Sequence, residues 1–156
     1  MNDVEFQKLI PELKTVNKGK PLSIELWLEW IGEYSHAIAY LTLLWPDFVE
    51  HEGCVFLGRE TPSTFQEWKE TSKGKISSIE GVLNHQHLFD LFALKKATPE
   101  QILYLGKKLK ELWSTKLAHD FPGKAFTVEF DESFDFQTDN PEITFYQSYS
   151  NLIIKE

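Results

Sequence analysis

Ser23 to Trp45 constrains this chain most, because it is the longest stretch with one consistent helical pattern. Apolar residues recur at Ile24, Trp27, Leu28, Ile31, Tyr34, Ile38, Leu41 and Trp45. Spacings of three and four put these side chains on one face of an α-helix. Glu25, Glu29 and Glu33 fall on the opposite, wet side. Ser23 suits the N-cap, since its hydroxyl oxygen can accept from a free first-turn amide. Glu25 then meets the positive end of the helix dipole.

From Ala37 to Trp45 the run AIAYLTLLW is apolar almost all round. Such a helix is buried on several sides. The run is shorter than the roughly 20 apolar residues that span a bilayer. The expectation is one long central helix, 23–45, that enters at the surface and ends inside the core, stopped by Pro46. Leu41→Asp is then the single change expected to destroy the fold.

A chain of 156 residues is long enough to bury a core without a disulfide or metal staple. Its 42% hydrophobic content, with 12 Phe and 5 Trp, marks a folded chain. One domain, 1–156, is expected. Cys54 is the sole cysteine, so no internal disulfide forms. It lies in the apolar run Cys54–Leu57, which reads as a short strand with the thiol as a small buried hydrophobe.

The start MNDVEFQKLI lacks the charged, then apolar, pattern of a signal peptide, so a cytoplasmic protein without a membrane segment is expected. The formal net charge is −8 and Arg59 is the only arginine. That balance argues against direct binding to DNA or RNA. It suits a basic protein partner.

Helical signals continue along the chain. Pro11 should kink or split a first helix. Ser63 with Gln66 has capping-box spacing. Ile79, Val82 and Leu83 suggest a short helix, with Asn84 capping a second one that carries His85 and His87. Thr98-Pro99-Glu100-Gln101 is the clearest start signal: a capping threonine, proline at the first helical position and glutamine to close the box. Ile102, Leu105, Leu109, Leu112, Trp113 and Leu117 follow on one side, and Lys107, Lys108 and Lys110 on the other.

The last third changes period. Ala125–Phe130 and Glu142–Tyr146 alternate as strands do, and Asn151–Lys155 could add a third. The fold class expected is therefore α+β, with about five helices around the 23–45 helix and a small C-terminal antiparallel sheet.

No phosphate loop, dinucleotide glycine pattern, nucleophile elbow or zinc-protease helix occurs. No cofactor or metal is expected. Asp47, Glu50 and His51 would share a face if their segment were helical, and with His36 they form a weak ligand set. His85, His87 and His51 are the candidates for acid–base catalysis. On a helix, His85 and His87 face different sides.

The stretch 131–139 packs four carboxylates and two phenylalanines into nine residues. With Glu129 it reads as a protein-binding arm: Glu129, Asp131, Glu132, Asp135 and Asp139 as an acidic rim, Phe134 and Phe136 as anchors. The bland reading of the same stretch is a solvated hairpin arm whose rings fold back on the sheet. The function expected is a small protein-binding module, in one form an immunity-type inhibitor that masks a basic toxin such as a nuclease. The alternatives are a small hydrolase with a histidine–carboxylate site, which requires histidines converging in a cavity, and a structural subunit, which requires a large exposed apolar patch.

Overall fold

A computed structural model describes residues 3–18, 20, 22–92, 97–149 and 152–154. The chain divides into two compact units, Met1–Leu41 and Thr42–Glu156.

In the first unit, α1 spans Asp3–Leu9. Pro11 opens a separate 3-10 turn, Pro11–Lys14, so the proline splits the segment. The long helix expected over 23–45 is two helices, α2 (Ile24–Ile31) and α3 (Tyr34–Leu44). Ser23 caps α2 as its sequence implies, accepting from the Leu26 amide at 3.4 Å. The break falls at Gly32, whose backbone turns to extended geometry. A Cβ at Gly32 would lie 2.3 Å from the Leu28 carbonyl oxygen, so this exit needs glycine.

Burial also departs from the expectation. No residue of α2 or α3 is fully buried, and only Leu43 and Leu44 at the end of α3 reach the core, half-buried. Every residue from Ile31 to Thr42 is exposed, Tyr34 at 92%, Ile38 at 64% and Leu41 at 59%. Leu41→Asp therefore loses its standing as the change that destroys the fold.

The second unit holds the core. Its long helix is α6, Pro99–Asp120, of 22 residues. The full capping box forms: Thr98 Oγ1 accepts from the Gln101 amide and Gln101 Oε1 accepts from the Thr98 amide. Ile102, Leu109, Trp113 and Leu117 are buried. They pack with Val55, Leu88, Val128, Phe130, Ile143 and Phe145. Gly106 lets α6 approach the sheet, since a Cβ there would meet the Phe130 ring at 2.2 Å.

The strands are β1 (Phe48–His51), β2 (Cys54–Leu57), β3 (Gln86–His87), β4 (Phe126–Phe130) and β5 (Glu142–Gln147). β1 and β2 form an antiparallel hairpin. Glu52 and Gly53 at its tip both have positive φ, as a tight hairpin turn requires. The 46–53 segment is thus a strand and its turn, so Asp47, Glu50 and His51 do not share a helix face. β3, β5 and β4 form a second antiparallel sheet in that order. Phe130 and Gln86 both pair with Ile143. In place of a strand over 151–155, Ile153 makes an isolated bridge to Lys75, and Asn151 and Lys155 lie outside the described residues.

α4 spans Phe65–Thr71 and α5 spans Ile76–Leu83. The Ser63–Gln66 box does not form: Thr64 is the N-cap, without a side-chain bond, and Gln66 donates to Glu70 instead. Asn84 ends α5 rather than starting a new helix.

Glu80 and Asn84, one turn apart on α5, join the two sheets. Glu80 Oε1 accepts from the Val55 amide of β2 at 2.7 Å, and its Oε2 from the Gln147 amide of β5 at 2.6 Å. Asn84 Oδ1 accepts from the Leu57 amide, and its Nδ2 donates to the Val55 and Phe145 carbonyls. Two side chains supply the bonds that adjacent strands would otherwise exchange. β2 is buried on both faces: Val55 meets the α6 core, while Cys54 and Phe56 pack with Phe65, Ile76 and Ile79. That explains an unbroken apolar run in place of alternation.

Candidate functional site

The acidic arm joins β4 to β5. Its aspartates bond within the loop. Asp131 Oδ1 accepts from the Ser133 hydroxyl and amide, which hold its carboxyl below the usual range. Asp135 Oδ1 accepts from the Gln137 amide, and Asp139 Oδ2 from the Asp135 amide. These are the short-range bonds by which aspartate shapes turns. Glu132 pairs with Lys107 of α6 at 2.8 Å, and Glu129 accepts from the Tyr146 hydroxyl.

Phe134 and Phe136 are half-buried and pack against the α6 core. Phe136 meets Phe89 edge-on at 5.7 Å, and Phe134 lies 6.2 Å from Phe130. Both rings thus fold back on the core, while all five acidic residues of the proposed rim remain exposed.

The histidines separate into two places. His87 lies on β3 and His85 immediately precedes it. Extended backbone turns residues two apart to the same side. Their rings accordingly meet at 5.2 Å, against the helical expectation. His85 Nδ1 bonds the Val82 carbonyl, while His87 Nδ1 lies 3.9 Å from Glu142 without a hydrogen-bond partner among the described residues. His51 instead packs edge-on against Phe65 and neighbours Glu52.

The acidic set around His51 also disperses. Asp47 pairs with Arg59, Glu50 with Lys124 at 2.8 Å, and His36 with Glu33 at 3.7 Å. Among the described residues no group of three His, Cys, Asp or Glu could hold a metal. A cavity of about 390 Å³ is lined by Thr42, Leu43, Pro46, Asp47, Leu57, Gly58, Arg59, Gln86, Leu91 and Trp113. Neither His85, His87 nor His51 lines it. Burial, and next the Glu80 charge, push the Cys54 thiol up to about 12, so it is no nucleophile at neutral pH.

The surface that sequence reasoning misplaced is the α2–α3 helix pair. Leu26, Leu28, Trp30, Ile31, Tyr34, Ile38, Tyr40 and Leu41 are large apolar side chains exposed there. The only ionised residues between Ile24 and Leu44 are Glu25, Glu29 and Glu33, with no lysine or arginine. The signal was present as AIAYLTLLW, an all-round apolar run. No helix among the described residues is long and apolar enough to cross a membrane.

No known protein family, curated protein or solved structure matches this chain.

Proposed function

We propose that this chain is a protein-binding module for a basic partner, docked on α2 and α3. The run of exposed apolar side chains from Leu26 to Leu41 carries the reading. Exposed contiguous apolar surface marks interaction sites. An apolar helix as short as α3 is also marginal by itself in water, so a covering partner stabilises it.

Charge selects the partner. The only fixed charges on these helices are glutamates, which favours a partner whose apolar stripe is flanked by Lys or Arg. A second copy would bring like charges together, each chain carrying a formal −8. An anionic lipid surface is repelled in the same way. Glu129, Asp131, Glu132, Asp135 and Asp139 add long-range attraction, whereas Phe134 and Phe136 act as packing groups. An immunity-type inhibitor masking a basic toxin is one form of such a module.

The test uses a synthetic amphipathic helix of leucine and lysine beside its leucine–glutamate counterpart, followed by tryptophan emission. The lysine peptide should bind, the glutamate peptide should not, and Ile38→Glu should abolish binding. Equal binding of both peptides, or full binding by Ile38→Glu, overturns the reading. Charge reversal at Asp131 and Asp135 should slow association and reduce its salt dependence, with little change in dissociation.

A further inference from the structure

We infer that the cavity between the end of α3, the β1–β2 hairpin and α6 is a binding site for a small apolar monocarboxylate. It is distinct from the exposed Leu26–Leu41 run, since every lining residue belongs to the second unit. Its volume of about 390 Å³ falls within the size of small-molecule sites.

The walls are apolar and fixed in advance. Leu43, Leu57, Leu91 and Trp113 supply the surface. Trp113 Nε1 donates to the Leu43 carbonyl at 2.9 Å, which holds the indole in place. The Leu57 amide is tied to Asn84 Oδ1 at 3.0 Å and the Gly58 amide to the Asp47 carbonyl at 2.8 Å. A ligand entering here orders little that is not already ordered.

The polar end selects an anion. Arg59 and Asp47 lie on the lining and are both largely exposed, which puts them at the open side. Asp47 takes the Nε edge of the guanidinium and offsets one charge. The two terminal amino groups of Arg59 have no other partner among the described residues. They form the fork that grips a carboxylate through two parallel bonds. An apolar body with one carboxylate satisfies walls and mouth together. An amine would bring a second cation beside the guanidinium and would find the Asp47 carboxylate already engaged by it.

Calorimetry and Trp113 emission are to be followed on adding octanoate or phenylbutyrate, with octylamine and octanol as controls. At least one carboxylate should bind saturably at a single site and octylamine should not. Arg59→Gln, at an exposed side chain, should weaken binding about tenfold, and Leu91→Trp should fill the cavity and abolish it. The Arg59→Gln result decides the matter if Leu91→Trp fails to fold by circular dichroism. The assignment is overturned if neither carboxylate saturates, if octylamine binds equally, or if Arg59→Gln binds as the wild type.

Discussion

α3 and α6 are both rich in leucine and aromatic residues, yet they have opposite fates. α6 carries a polar face with Lys107, Lys108 and Lys110, and buries Ile102, Leu109, Trp113 and Leu117. α3 carries no lysine or arginine and has no fully buried residue, with only Leu43 and Leu44 at its end half-buried against the core. Apolar content alone therefore does not place a helix in its own chain's core. A polar face opposite an apolar stripe tells a helix which way to sit. A helix that is apolar all round specifies only that it needs covering, and leaves open what covers it.

The sharpest way to break this contrast is a pair of truncations. Trp113→Ala removes a fully buried indole and its bond to Leu43, and should destabilise by about 3–5 kcal/mol in urea unfolding. Tyr34→Ala, at a side chain in water, should stay within about 0.5 kcal/mol. Similar losses for the two would end the contrast.

Glu80 tests the core side of the contrast through pH. Burial raises its pKa, outweighing the Gln147 and Val55 hydrogen bonds that favour the charged form. The folded state thus holds a proton that the unfolded chain releases first. That contribution is complete below the ordinary carboxylate range and is lost as pH rises through the raised folded value. The stability gap between wild type and Glu80→Gln should shift against the wild type over that rise, as read from thermal unfolding at a series of pH values. A flat difference would contradict the raised pKa.

Smaller effects sharpen the comparison. Thr98→Ala removes the α6 capping bond and should cost about 1 kcal/mol in the same unfolding assay. Leu41→Asp should shift stability by about 0.5 kcal/mol or less, because its side chain is already exposed, while weakening binding of the lysine peptide.

Much of the second unit is legible in sequence because its signals are local. Thr98, Pro99 and Gln101 announce α6, alternation announces β4 and β5, and Cys54–Leu57 announces β2. The illegible parts depend on distant groups. Glu80 and Asn84 look like ordinary helix residues until the amides of β2 and β5 stand beside them. Gly32 ends a well-patterned helix in a backbone geometry where a side chain would collide with the Leu28 carbonyl. His85 and His87 meet because β3 pairs with β5, which no local pattern encodes. Within the site, the acidic character of 131–139 was plain, but the turn-forming use of its carboxylates was not. Exposure of α2 and α3 was hidden because periodicity identifies an apolar face without supplying its cover.

The Glu80–Asn84 stitch also sets how the molecule opens. Val55 and Leu57 sit in one sheet and Gln147 in another, yet all three amides donate to Glu80 on α5 or to Asn84, which caps its end. Unfolding of that single helix frees them at the same moment. Their deuterium uptake should therefore follow one shared protection free energy, grouped by helix and not by sheet, so that α5 acts as the latch of a cooperative unit drawn from separate parts of the chain.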